Sequence, residues 1–288
     1  MPRRELAGIA LAACAFATAS PIAKSIAGLS FAGIGAGRCA VAAVALVGLR
    51  PVATWRAVAS LDGRQRVGLV AAGILLGAHF GLFLAGLLAT SLPAAAALVA
   101  LEPIAVVLAA WIAFGVRPSP REAAGIALAT TGAFVVGRGA GAGERTLFGD
   151  TLVLGAVVLF GAYVAFARGL TTAIPPRAYA GCVYSIGAVV LLPLALFVDG
   201  PTASSVPAST WFGVALLGLV PTLVGHTLVQ RAAGRVSPSL VGLVSPGETV
   251  GAILLGAAMG RIPTPAEWIG AAVIVAGAAV TVTGAGRS

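Results

Sequence analysis

Five ionisable residues sit deep inside long apolar stretches of this chain: Arg38, His79, Glu102, His226 and Glu248. Placing such a group in hydrocarbon costs roughly 2.5–3.5 kcal/mol on insertion scales, so each is expected to face a helix-bundle interior or a watery cavity. Glu102 is followed by Pro103, and Glu248 is preceded by Pro246 and Gly247. Proline and glycine loosen a helix and free backbone carbonyls that can hold cations or polar groups. The two carboxylates therefore read as a substrate-amine or proton site. The alternative is a carboxylate paired with Arg38 or a histidine for packing alone. Arg38 can neutralise a substrate carboxylate or hold Glu102, and both readings stay open. His79 and His226 titrate near physiological pH and can relay protons, or they can simply hydrogen-bond a neighbouring helix. His79 is expected at mid-depth and His226 near the cytoplasmic end of its segment. Phe160 and Tyr163, spaced i, i+3, can line a cavity on one helix face, with core packing as the plainer reading.

The segments that carry these residues are long and apolar. Of 288 residues, 59% are hydrophobic and 9% charged, whereas soluble domains carry about 25% charged residues. Mean hydropathy is +1.04. A hydrocarbon core roughly 30 Å thick takes about 20 apolar residues of helix, and ten such stretches are present. They are 6–23, 31–49, 67–88, 93–114, 123–137, 148–167, 178–198, 211–229, 237–259 and 267–283. The fifth is short. No stretch alternates as a barrel strand would. An all-α integral membrane protein of ten transmembrane helices is the expected fold class. The loops are short, the longest being 50–66, 138–147 and 199–210. Trp211 and Trp268 open the eighth and tenth stretches, where interfacial anchoring explains them.

Charge then orients the chain. With the N-terminus in the cytoplasm, Arg3, Arg4, Arg50, Arg56, Arg64, Arg66, Arg117, Arg121, Arg168, Arg177, Arg231, Arg235 and Arg287 fall inside. Lys24, Arg138, Arg145 and Arg261 fall outside. That asymmetry is the positive-inside pattern, with both termini cytoplasmic. Arg3 and Arg4, the run from Leu6 and the triplet Ala17-Thr18-Ala19 resemble a secretory signal. So many apolar segments follow that the run is expected to be a retained first helix. The pI near 11.0 does not indicate nucleic acid, because the arginines are scattered singly over loops. Cys14, Cys39 and Cys182 form neither a disulfide framework nor a metal-ligand spacing. No cofactor or metal is expected.

The chain also repeats itself. GVRPSPREAAGIALATTGAFVV, from Gly115, matches GRIPTPAEWIGAAVIVAGAAVT, from Gly260. The shared positions are Gly115/Gly260, Pro118/Pro263, Pro120/Pro265, Glu122/Glu267, Gly125/Gly270 and Gly132/Gly277. Upstream, after a small gap, Leu101-Glu102-Pro103 pairs with Val244-Ser245-Pro246. Lys24 and Arg168 each end the first helix of their half. Five spans per half is odd, so the second half is expected upside down. Inverted repeats of this kind place a transporter's substrate site near the midplane between them. The halves are taken as 1–140 and 141–288.

These features resemble the drug/metabolite transporter superfamily, in the ten-helix branch built from two EamA repeats. The resemblance rests on Arg38 in the second segment, a proline near the middle of the fourth and ninth, and Pro-Ser/Thr-Pro-x-Glu at the start of the fifth and tenth. Family members commonly carry a Gly-Glu pair just before that motif. Here those places read Gly115-Val116 and Gly260-Arg261, so the acid is missing twice. The resemblance implies a secondary transporter in a bacterial inner membrane, working by alternating access. An exporter of amino acids or related small metabolites is the expected activity, with proton coupling as an option. A multidrug cation exporter or a carrier of nucleotide sugars or lipid-linked sugars is the alternative. An aromatic content of 6% argues mildly against a cation cage. Enzyme chemistry finds no support in the residues. No His-Glu-x-x-His, Gly-x-Ser-x-Gly or paired intramembrane aspartates are present, and a channel is the other remote option. The expected partners are a small-molecule substrate and the lipid bilayer.

Gly73, Gly77 and Gly81 recur every four residues, a spacing for close helix packing. Gly33, Gly35 and Gly37 lie in an apolar helix with no strand before them, so they are not a nucleotide loop.

Overall fold

The structure, a computed structural model, describes residues 3–139, 146–200 and 206–285, apart from the side chains of Arg3, Pro93 and Arg138. Arg145 and Arg287, which carry part of the charge asymmetry, and the boundary at 140/141 lie outside the described residues, as does much of the 199–210 loop.

Among the described residues ten helices of membrane-spanning length follow one another, nine of them also apolar enough to cross a bilayer. They are span 1 (Arg4–Ser25), span 2 (Phe31–Gly48), span 3 (Gly63–Ala89) and span 4 (Ala94–Phe114), then span 5 (Pro120–Gly139). Span 6 (Leu147–Leu170), span 7 (Pro176–Asp199), span 8 (Ala208–Ala233), span 9 (Pro238–Ala258) and span 10 (Pro265–Ala285) complete the bundle. Span 5 is the least apolar of them, because Arg121, Glu122 and Arg138 lie at its ends. It is longer than the sequence suggested, 20 residues, and at 1.5 Å per residue that is about 30 Å of helix. The 50–66 loop is not irregular throughout. It contains a short helix, Pro51–Ala59, with Val52 and Trp55 exposed. A proline in its first turn and an apolar, arginine-flanked face suit a helix lying in the interface.

The Pro-Ser/Thr-Pro-x-Glu motif is a helix start. In span 5, Ser119 N–H donates to Glu122 Oε2 at 2.9 Å and Glu122 N–H donates to Ser119 Oγ at 3.3 Å. In span 10, Thr264 N–H donates to Glu267 Oε2 at 2.7 Å and Glu267 N–H donates to Thr264 Oγ1 at 3.3 Å. Both are capping boxes, which satisfy backbone donors that the helix leaves free.

The repeated glycines meet each other. A Cβ on Gly125 would lie 2.7 Å from Gly277 O, and one on Gly132 would lie 2.7 Å from Gly270 O. Residue number rises along span 5 as it falls along span 10, so these equivalent helices run antiparallel in contact. That is the geometry of two inverted five-helix repeats. Spans 2 and 7 also pack on each other. Span 6 packs on spans 3 and 4, and span 1 packs on spans 8 and 9. The first helix of each half is thus donated to the opposite half. Gly73 and Gly77 sit against Ile186 and Gly187 of span 7, and Gly81 against Leu191, as their spacing implied.

Lys24 Nζ donates to Thr90 O, which closes span 3, at 3.1 Å. Arg168 donates to Ala233 O, at the end of span 8, at 3.0 Å, and to Val236 O at 2.9 Å. Each cation satisfies carbonyls at a helix C-terminus, where positive charge is favoured, and the two contacts are related by the repeat. Glu5 pairs with Arg231 at 3.3 Å and with Arg235 at 3.9 Å, and Gly284 packs on Arg121 and Glu122. Both ends of the described chain therefore share one face of the bundle, here called the terminal face.

Candidate functional site

The site begins with interruptions in four helices. Span 4 consists of Leu92–Val99 and Glu102–Phe114, and span 9 of Pro238–Gly242 and Val244–Ala258. Pro103 lies in the first turn after its break, where the missing N–H would have had no helical partner. Thr130 Oγ1 of span 5 donates to the Ala100 carbonyl at 3.2 Å. The two breaks touch. A Cβ on Gly242 would lie 2.8 Å from Pro103 Cα, and Ser245 Oγ donates to Glu102 Oε2. The two stretches paired by the repeat, around Pro103 and Pro246, thus meet each other. Span 1 is also interrupted, between Phe16 and Ala19.

Span 8 is widened rather than broken. Residues Gly218–His226 are π-helical and include Pro221. Proline lacks the N–H that would bond the preceding turn, and widening is a common response. The Leu217 carbonyl instead accepts from Thr222 Oγ1 at 2.7 Å. Thr222 Oγ1 in turn accepts from Arg38 Nε at 2.8 Å. Tyr184 Oη donates to Thr222 O at 2.9 Å and lies 2.9 Å from Thr227 Oγ1. Arg38 is 2% exposed, and its guanidinium stands 4.0 Å from the centre of the Phe80 ring, a cation–π distance.

His79 and His226 come together, with ring centroids 6.1 Å apart. His79 Nδ1 lies 2.9 Å from Ala156 O. A carbonyl only accepts, so Nδ1 carries the proton and Nε2 is left to accept one. His226 Nδ1 is buried without a partner. The expected place of His226 near the end of its segment is corrected. Span 8 runs one further turn, to Ala233, which moves His226 inward beside His79. Phe16, Phe80 and Phe160 all pack within 4.6–6.0 Å of its ring.

A cavity of about 30 Å³ lies at this junction, lined by Arg38, His79, Glu102, His226 and Glu248. Phe16, Phe80, Phe83, Phe160 and Pro221 form its apolar walls. All five ionisable residues singled out in the sequence converge there, from both halves. Tyr163 does not line it. It is fully buried behind Phe160 and His226, each 6.1 Å away between ring centroids. The proposed Arg38–Glu102 pair is not formed; Arg38 goes to Thr222 and Glu102 to Ser245. Sequence reading missed Thr222, Tyr184, Ser245 and Phe80. The Pro221-Thr222 dipeptide within an apolar segment was the available signal for the first of them.

The cavity holds about one water, since a water's share of liquid is about 30 Å³. It adjoins a larger vestibule of about 470 Å³ on the face opposite the termini, and Phe83, Val99 and Glu248 border both. Glu102 is 4% exposed, whereas Glu248 is half-buried and borders the vestibule. Arg261, at the vestibule's rim, donates from one nitrogen to both Glu267 oxygens at 2.8 and 2.9 Å. One of the two places where the family acid is absent thus carries a cation bound to the capping glutamate.

The EamA-like transporter family matches this chain twice, over residues 4–138 and 147–283. The chain belongs to that family. It is a multi-pass membrane protein of a transporter fold. The uncharacterized transporter YwfM of Bacillus subtilis (strain 168) is 29% identical over 131 residues. That match covers 45% of this chain and 43% of YwfM, less than half of either. A solved crystal structure superposes with a TM-score of 0.73 at 21% identity, covering 98% of both chains. At that identity the likeness speaks for the fold.

Proposed function

We propose that this EamA-family transporter carries amino acids or related small metabolites outward by alternating access, with Glu102, Glu248, Arg38, His79 and His226 forming the central site. The observation that carries this reading is the convergence of two carboxylates, a guanidinium and two imidazoles from both halves on one small cavity. Carboxylates accept from a substrate ammonium, and a guanidinium or imidazolium donates to a substrate carboxylate. Glu102, buried and bonded to Ser245, and Glu248, bordering the vestibule, are arranged to pass a proton or an amine between them. The cavity is small and the vestibule beside it is large, as expected of one state in a cycle. The halves 1–140 and 141–288, each carrying the other's first helix, are the units that rearrange. Both termini face the cytoplasm of a bacterial inner membrane, so the vestibule opens to the outside.

The phenylalanine walls favour a second reading, a multidrug cation exporter. They concentrate aromatic surface that a whole-chain percentage hides. Arg38 over Phe80 weighs against it, because the ring face already holds a cation. Two carboxylates at the cavity also oppose a diphosphate-bearing nucleotide sugar.

Purified protein in liposomes tests the reading. Radiolabelled amino acids should show saturable counterflow, strengthened or driven by an imposed pH gradient if a proton is coupled. Glu102→Gln should express normally and lose transport by tenfold or more, about 1.4 kcal/mol or above, and Glu248→Gln should lose less. Near-normal transport by Glu102→Gln removes that carboxylate from the site.

A further inference from the structure

A second pocket, of about 230 Å³, lies on the terminal face between the start of span 5 and the start of span 9. It corresponds to the vestibule under the repeat. Val107, Val116 and Glu122 line the pocket; Ala252, Arg261 and Glu267, each 145 residues further on, line the vestibule. The first turn of span 9, at Pro238, borders the pocket as the first turn of span 4, at Leu92, borders the vestibule. Inverted repeats turn one opening into the other on opposite faces.

The two copies differ at one point of chemistry. Glu267 gives Oε2 to its capping box, and Arg261 supplies a cationic nitrogen to both of its oxygens. Glu122 makes the same capping box with Oε2. Its position equivalent to Arg261 is Val116, and Glu122 Oε1 is buried with no partner. Glu122 is 3% exposed. A buried carboxylate oxygen without a donor is costly and rare in native structures. The arginine lining this pocket, Arg117, does not fill the gap, since its guanidinium lies 5.2 Å from the Trp111 ring centre. Ser237 Oγ, also at the pocket, is likewise buried and unpartnered. The second repeat therefore shows what the first lacks: a nitrogen cation at Glu122 Oε1, with a serine hydroxyl nearby.

We propose that this terminal-face pocket binds the cationic nitrogen of the transported substrate, a primary ammonium, at Glu122 and Ser237, as a station between the central cavity and the water on that face. This deepens the reading of the central site, on which the identity of the ligand rests. The internal Arg261 occupies the equivalent place on the opposite face, so the station is one-sided. Substrate nitrogen is held at the terminal face and meets a fixed cation at the other.

Ser237→Cys, in a chain with Cys14, Cys39 and Cys182 replaced, provides the probe, because Ser237 makes no capping bond that the change would remove. Reaction rates with 2-aminoethyl and 2-sulfonatoethyl methanethiosulfonate are compared, and n-butylamine is added as competitor. The cationic reagent should react faster by about tenfold, as for a cation focused by a carboxylate in a cleft, and n-butylamine should protect saturably. Glu122→Gln keeps an acceptor for Ser119 N–H and should abolish both effects. Val116→Arg installs the internal cation of the second repeat and should abolish them with Glu122 intact. Equal rates, a preference untouched by either substitution, absent protection, or no reaction with either reagent overturns the proposal. Repeating the labelling in a Glu102→Gln chain separates the two ideas. The pocket keeps its cation preference there even when central transport is lost, whereas failed counterflow with wild-type Glu102 speaks against the central site alone.

Discussion

At the residue scale, burial cost marks the residues of the candidate site by type alone. Arg38, His79, Glu102, His226 and Glu248 stand out because hydrocarbon penalises them, and they meet around one cavity. Their pairing was not visible, because partners came from neutral residues that apolar segments hide well. Thr222 is the clearest case. It accepts from Arg38 and donates to the carbonyl freed by Pro221, and a lone threonine in a helix usually bonds its own backbone. Thr222→Val removes both bonds and leaves a buried guanidinium nitrogen unsatisfied. Hydrogen bonds to charged groups contribute about 1.5–3 kcal/mol, so thermal unfolding in detergent should shift down and transport should fall sharply. Thr222→Ser retains the hydroxyl and should restore both. If Thr222→Val unfolds and transports like wild type, Arg38 is held by something other than this contact. The i, i+3 aromatic pair divides between its two readings: Phe160 lines the cavity, and Tyr163 packs one layer behind it, as the plainer reading had it.

At the element scale, the repeat motif proved to be a pair of capping boxes, and its glycines proved to be the seam between spans 5 and 10. Those features were legible because side-chain identity is dictated there by backbone geometry, at a cap or at a close approach. The interruptions were only partly legible. Prolines marked where spans 4 and 9 loosen, yet nothing in the sequence said that the two breaks would touch through Gly242, Pro103, Ser245 and Glu102. The exchange of first helices between halves was also out of reach, since all ten segments are apolar and periodicity does not name a partner. The seam makes a sharp prediction. A Cβ on Gly277 would lie 2.5 Å from Ala129 N and 2.6 Å from Gly125 O, and neither backbone atom can move aside alone. Overpacking costs about 1–3 kcal/mol, and close helix contact in lipid depends on small residues. Gly277→Val should lower the melting temperature and the yield of monodisperse protein. Ala276→Val, one residue earlier on the exposed side of the same helix, should leave both unchanged. Equal behaviour of the two variants would mean that spans 5 and 10 do not pack as seen.

At the scale of the whole molecule, pseudosymmetry turns one conformation into a statement about another. The vestibule on the Arg261 face is about 470 Å³ and borders the central cavity, whereas its equivalent on the terminal face is about 230 Å³ and shares no lining residue with that cavity. The two halves have the same fold in opposite orientations, so the state in which their shapes are exchanged has the large opening on the terminal face. Ala252 and Val107 are equivalent positions on spans 9 and 4, one in each opening. Single cysteines there, in a chain without native cysteines, should change reactivity in opposite senses. In the state seen here, Ala252→Cys reacts quickly with a membrane-impermeant maleimide added from the Arg261 face. Val107→Cys reacts slowly from the terminal face. A saturating gradient of transported substrate that shifts the population should slow the first and speed the second together, because each rate follows the population of one of two states whose sum is fixed. Arg4, Arg117, Arg121, Arg231 and Arg235 cluster on the terminal face, so that face should be cytoplasmic, and maleimide added to intact cells should reach Ala252→Cys first. Rates that rise together would describe a channel open at both ends, and rates that never respond to substrate would describe a rigid bundle. Either result would leave the fold standing and remove alternating access between these two openings.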